Sequence, residues 1–307
     1  MVRILGFLVG LGFVGVLLIS LVINGIAAIN EPAAETAEHK FYKYPKEVSF
    51  SSDGPFGKYD RQQLQRGYQV YKEVCAVCHG INYVAIRNLE DLGYNDAEIK
   101  AEAANWQIAD LDPETGDDIT RPGIPADRFP PAYRNEVARA AAGSPPDLSL
   151  ITKAREGGAP YIYSLLTGYQ EPSAEMLAEH PEIAPGPGLY FNPYFKNLNI
   201  SMPPPITADG QVSYADGTEA TVEQMSKDVS AFLVWTAEPK LEQRHRAGWA
   251  TLIFILFATI FAYFAYRNVW AEAKRKVAPK GVLDPEHQAK VDHAEAEAAE
   301  DGRPVDG

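Results

Sequence analysis

The feature that most constrains this chain is the run from Ala247 to Tyr266, AGWATLIFILFATIFAYFAY, 20 residues without a charge. As a helix rising 1.5 Å per residue it measures about 30 Å, one hydrocarbon thickness. Arg244 and Arg246 precede it and Arg267 follows. Tyr263, Tyr266 and Trp270 suit an interfacial aromatic belt. The competing reading, a buried core helix, fits the length and the missing charge less well.

A second apolar run extends from Ile4 to Ile29 behind Arg3. It reads as a secretory signal, with Gly25, Ala27 and Ala28 as small residues for cleavage. Its length exceeds the usual apolar core of about 7–15 residues, so an uncleaved anchor stays open. Gly10, Gly12 and Gly15 in GLGFVG fit a dinucleotide-binding spacing, but that pattern needs a strand before it, and a helix and an acidic residue after it, in a folded unit; here it sits inside an export segment and is set aside. Basic residues are more numerous after the 247–266 span (Arg267, Lys274, Arg275, Lys276, Lys280) than before it (Lys240, Arg244, Arg246). That bias places the C-terminus in the cytoplasm and exports what lies between the spans. The expected organisation is an N-terminal apolar segment (1–28), a periplasmic domain (29–240), a C-terminal transmembrane anchor (241–270) and an acidic cytoplasmic tail (271–307). Gly281 to Gly307 carries eight acidic and two basic residues with few apolar ones, which predicts disorder. The net charge of −13 argues against nucleic acid as a partner.

Within the exported part, DRQQLQRGYQVYKEVC reads as a helix capped by Asp60, with Leu64, Tyr68, Tyr71 and Cys75 on one face. Gly67 inside it is costly unless another backbone approaches closely. A second helix is predicted from about Val222 to Thr236, with a Thr221–Gln224 capping box and a buried stripe of Val222, Met225, Val229 and Phe232. Asp216-Gly217 before it marks a turn. Between these helices prolines are frequent and the chain reads as irregular, with short helices near Asn135–Ala142 and Tyr161–Leu166. The fold class is mainly α, with long loops.

The only two cysteines, Cys75 and Cys78, stand three apart with His79 next in line. C-x-x-C-H is the attachment sequence for c-type haem. Each thiol adds to one vinyl group on the same porphyrin edge, and the following histidine supplies an axial nitrogen. A disulfide redox pair has no need of His79. A zinc site needs four ligands, and only three are local. For the sixth iron ligand, Met202 in NISMPPPI is favoured, since the proline run after it presents the thioether on a stiff path. Met225 lies on a helix stripe and reads as core, Met176 lies in a polar stretch, and His180 is the rival ligand.

These residues, together with RGYQVYKEVCAVCHG, PPDLSLITKAREGG, YIYSLLTGY, YFNPYFKNLNISMPPPI and YADGTEATVEQMSKDVSAFLVWTAEP, resemble the cytochrome c1 family from about Phe50 to Trp270. The resemblance implies a c-type cytochrome fold with one C-terminal transmembrane helix and one haem c, bound covalently through Cys75 and Cys78. It implies His79 and Met202 as the iron ligands, Arg155 beside a haem propionate and Tyr161 lining the haem pocket. A planar, permanently charged guanidinium suits a propionate, although a surface arginine is the plain alternative for Arg155. The implied role is a redox subunit without bond chemistry of its own in the respiratory bc1 complex of a bacterial inner membrane. It would take an electron from the Rieske iron–sulfur protein and pass it to a soluble or tethered c-type cytochrome, with cytochrome b and membrane lipid around its anchor. Glu90 to Asp118 holds ten acidic residues and one lysine, a field able to steer a basic cytochrome or simply a solvated loop. A haem subunit of another membrane complex and a gas-binding haem module are the remaining classes.

Overall fold

The computed structural model describes residues 2–30, 36–276 and 285–300. Its α-helices are α1 (Val2–Asn30), α2 (Ala37–Phe41), α3 (Arg61–Val70), α4 (Asp96–Ala104), α5 (Glu136–Ala141), α6 (Ile151–Ala154), α7 (Gly158–Leu166), α8 (Ala174–Glu179), α9 (Val222–Ala237), α10 (Leu241–Lys276) and α11 (Pro285–Glu300). Strands β1 (Gln107–Leu111) and β2 (Asp118–Pro122) pair antiparallel, as do the short β3 (Tyr190–Phe191) and β4 (Asn199–Ile200). The chain divides into two units, Met1–Glu242 and Gln243–Gly307.

The first unit is organised by α3 and α9. Asp60 caps α3 through a bond from the Gln63 N–H to its carboxylate at 3.2 Å. Thr221 caps α9 by accepting from the Gln224 N–H at 3.0 Å. The reciprocal half of the expected capping box is not made. Gln224 Nε2 instead donates to Asp228 Oδ1 at 2.8 Å, because a buried carboxylate demands donors more strongly than an exposed cap. Of the apolar faces expected of both helices, Leu64, Tyr68, Tyr71, Met225, Val229 and Phe232 are buried, while Cys75 and Val222 are half-buried at the edge of the same cluster.

Gly67 explains how close the two helices come. A Cβ built there would stand 2.1 Å from the Asp228 carbonyl oxygen and 2.7 Å from Phe232 Cβ, so only glycine permits this crossing. Asp228 is fully buried in the same interface. It accepts from Arg66 Nε at 2.8 Å and Gln63 Nε2 at 3.1 Å, which satisfies a charge that would otherwise oppose folding.

Elements the sequence reading left irregular are α4 and the β1–β2 hairpin. Only Ile99 and Ala103 of α4 are buried, and β1 and β2 are largely exposed, so neither carries a periodic apolar pattern. In the tail, α11 is helical where low hydrophobicity predicted disorder. Its composition, PEHQAKVDHAEAEAAE, is rich in alanine and glutamate, which favour the helix without any buried face.

The 247–266 span lies in α10, whose 36 residues measure about 54 Å, well beyond one bilayer core. It is not alone. Both α1 and α10 (over Leu241–Ala271) are long and apolar enough to cross a membrane. α10 is the helix expected as the C-terminal span, and α1, expected as a secretory signal or an uncleaved anchor, reaches comparable length and apolarity. Gly10, Gly12 and Gly15 fall in the middle of α1, with no strand before them, as their dismissal as a nucleotide motif requires.

Candidate haem site

α3 does not run straight into the cysteines. After Val70 the helix widens into one π turn, Tyr71–Cys75, in which the Ala76 N–H reaches back to the Tyr71 carbonyl at 2.8 Å. Beyond Val77 two donors fold onto a single acceptor: the Cys78 and His79 N–H groups both bond the Cys75 carbonyl, at 3.1 and 2.9 Å. This tight turn leaves Cys75 half-buried and Cys78 exposed, with Val77 between them 72% exposed. Burial pushes the Cys75 thiol up to about 12, with Cys78 adding to the shift.

His79 is oriented by the main chain. Its Nδ1 lies 2.7 Å from the Pro146 carbonyl. A carbonyl can only accept, so Nδ1 carries the proton and Nε2 keeps its lone pair for a metal. Burial lowers the His79 pKa, opposed by the Pro146 bond and by Asp147, which favours the neutral ring that ligation needs. The 146–149 segment is itself fastened to the motif loop. The Leu148 N–H donates to the Gly80 carbonyl at 2.8 Å, and the Asp147 carboxylate accepts from the Asn82 and Ser149 N–H groups at 2.9 Å each.

Among the described residues no three His, Cys, Asp or Glu side chains converge to hold a bare metal ion.

Met202 is half-buried and packs on the same apolar cluster as Cys75, Ala76 and Tyr161, and its carbonyl accepts from Tyr169 Oη at 3.1 Å. The other described methionines are placed differently. Met225 is wholly enclosed, and Met176 packs on a separate small cluster around Ile183 and Phe191. His180 is engaged elsewhere: Nδ1 lies 2.8 Å from Glu182 Oε1 and the ring stands edge-on to Phe41.

Arg155 ends α6 in extended backbone. Its side chain is exposed and makes no ion pair among the described residues. Its charge is felt at Tyr161, where burial raises the hydroxyl pKa and Arg155 lowers it. A cavity of about 640 Å³ flanks the start of α7, bounded by Pro45 to Ser49 with Gly157 and Pro160. None of the CxxCH residues lines it.

The donor chemistry fits a haem: two thiols on one loop, an imidazole with Nε2 open, a thioether on the shared cluster and an uncommitted guanidinium. Two contributors carried no recognisable sequence signal, the Pro146 carbonyl and the Tyr71 hydroxyl, which donates to the His79 carbonyl at 3.1 Å. In the acidic stretch, Glu98 and Asp112 accept from backbone N–H groups, and two further carboxylates are in ion pairs. Glu102 accepts from Tyr68, Lys72 and Trp106, and Asp110 pairs with Arg121.

Helices long and apolar enough to cross a membrane and a CxxCH histidine oriented by the main chain fit a membrane-anchored haem protein. A family model described as the Cytochrome C1 family matches residues 50–273. Among curated relatives, "Cytochrome b/c1" of Bradyrhizobium diazoefficiens is 46% identical over 247 residues, covering 75% of this chain and 36% of that protein. "Cytochrome c1" of Rhodospirillum rubrum is 42% identical over 266 residues, 83% of this chain and 94% of the relative. "Cytochrome c1, heme protein, mitochondrial" of Saccharomyces cerevisiae is 40% identical over 253 residues, 81% and 79%. The chain belongs to the cytochrome C1 family, whose members are haem-containing electron-transfer subunits.

Proposed function

We propose that this chain carries one haem c, attached covalently through Cys75 and Cys78 with His79 and Met202 as axial ligands, and relays single electrons in a bacterial bc1 complex. In that reading the donor is the Rieske iron–sulfur protein and the acceptor a soluble or membrane-tethered c-type cytochrome. The Pro146 bond that leaves His79 Nε2 open carries the proposal, since it prepares a ligand and not a surface histidine.

Bound haem supplies a one-electron couple near the protein surface. The chain's residues do the rest. Pro146 fixes the tautomer of His79. The prolines after Met202 hold the thioether in place. Arg155 would neutralise a propionate, and Tyr161 would line the pocket. If His79 and Met202 both held the iron, small-molecule chemistry there would be disfavoured, and the subunit itself would catalyse no bond change.

Cytochrome b as neighbour is supported by the relative whose name joins b and c1. The basic excess after the 247–266 span supports an exported, periplasmic haem domain with the C-terminus in the cytoplasm. The N-terminal segment is assigned as a signal cleaved near Ala28.

The test is a spectrum of Met202→Ala. Haem should stay with the denatured, acid-acetone-washed protein, the low-spin bands should be lost, and carbon monoxide should bind the reduced form. A colourless denatured protein would refute covalent attachment. An unchanged spectrum would refute Met202 and move the sixth ligand to His180.

A further inference from the structure

We infer that Tyr71 is a positioning residue for the axial histidine and that its hydroxyl sets part of the haem potential. The inference rests on His79 being the iron ligand.

Tyr71 begins the π turn, a helix irregularity frequent at functional sites. Its side chain is 0% exposed. The ring is wedged between Phe129, edge-on with centroids 6.5 Å apart, and Phe232, tilted at 5.6 Å. Such a ring has no freedom to aim its hydroxyl elsewhere. Among the described residues its hydroxyl makes one hydrogen bond, to the His79 carbonyl at 3.1 Å. Among the described residues no other donor meets that carbonyl.

His79 is therefore held at two points by different parts of the fold. Pro146 grips the imidazole at Nδ1, and Tyr71 grips the backbone eight residues after itself. The ring bond sets which nitrogen faces the iron. The backbone bond sets where the residue sits relative to α3 and the two cysteines. The π turn is what brings the Tyr71 hydroxyl to that carbonyl while Cys75 stays on the loop side.

The electrostatic sign follows from the donor's dipole. A hydroxyl donating to the His79 carbonyl offsets its negative end. Without the hydroxyl, that negative end is uncompensated in a low-dielectric setting and favours Fe(III) over Fe(II). Removing the hydroxyl should therefore lower the midpoint potential.

The experiment compares Tyr71→Phe with Tyr68→Phe in the full-length, haem-loaded chain. Tyr68 is a buried hydroxyl on the same helix, bonded to Glu102 at 2.5 Å instead of to the ligand. Both variants should retain covalent haem and lose comparable thermal stability. Only Tyr71→Phe should shift the Fe(III)/Fe(II) stability ratio, by threefold or more, which is about 28 mV downward for a one-electron couple. Incorporating 3-fluorotyrosine at position 71, a stronger donor in the wild-type shape, should move the potential upward and serves where Tyr71→Phe does not accumulate. Equal potentials in wild type, Tyr71→Phe and the fluorinated protein overturn the inference while leaving the haem reading intact. Loss of all covalent pigment from wild type would instead overturn the haem reading.

Discussion

Replacing Gly67 by alanine tests the α3–α9 crossing on which the haem loop is mounted. The new Cβ would stand 2.1 Å from the Asp228 carbonyl oxygen, more than an ångström inside ordinary contact. Both partners are helix backbone, so neither can swing away as a side chain would, and the helices must separate. Overpacking of this kind costs about 3 kcal/mol. Opening the interface by about 1 Å forfeits a further ~1–2 kcal/mol of dispersion along both helices. Alanine returns ~1 kcal/mol of helix propensity. The net expectation is a loss of about 3 kcal/mol, or a fall in Tm of about 6–12 °C for a domain of this size. Far-ultraviolet circular dichroism of the haem-loaded protein in detergent, at one scan rate, measures it. Gly186→Ala is the control: only Leu189 Cδ1, at 3.8 Å, would meet its Cβ, and its Tm should stay within about 1 °C. A Gly67→Ala protein as stable as that control would show that the crossing is not set by this contact.

Asp228→Ala should destabilise the haem domain by about 3 kcal/mol, because it strands Arg66, only 14% exposed, with Asp216 as its remaining carboxylate; a loss below about 1 kcal/mol in urea unfolding would contradict the paired-charge account. Glu102 gives the pH dependence. Burial pulls its pKa up, but the hydrogen bonds from Lys72 and Tyr68 prevail and hold it below the ordinary value. A depressed carboxylate stabilises the fold at neutral pH, and that contribution disappears as pH falls below about 4.3. Glu102→Gln should accordingly flatten the acid limb of Tm against pH, and parallel limbs for the two proteins would exclude the role.

Much of the scaffold was readable because it rests on side chains with strong local meaning. Asp60 and Thr221 cap the helices they were expected to cap, and the cost of a mid-helix Gly67 pointed to the close backbone approach that the structure contains. What escaped was structure held by main chain or by weak patterns. The β1–β2 hairpin and α4 bury too little to imprint a period. The π turn at Tyr71 follows from how α3 meets the core, which no window of residues encodes. Gln224 satisfied Asp228 because that carboxylate is buried, a fact visible only once α3 and α9 are packed. In the candidate site, CxxCH is legible as a sequence pattern, while the groups that hold His79, the Pro146 carbonyl and the Tyr71 hydroxyl, carry no such pattern.

The bond from His79 to the Pro146 carbonyl has an evolutionary corollary. The acceptor is an amide oxygen, so every codon at position 146 still encodes it. Mutational scans will read that position only through proline's effect on backbone path, never through loss of the acceptor. Of the two grips on His79, only the one at Tyr71 is made by a side chain, so substitution can remove that grip and not the other.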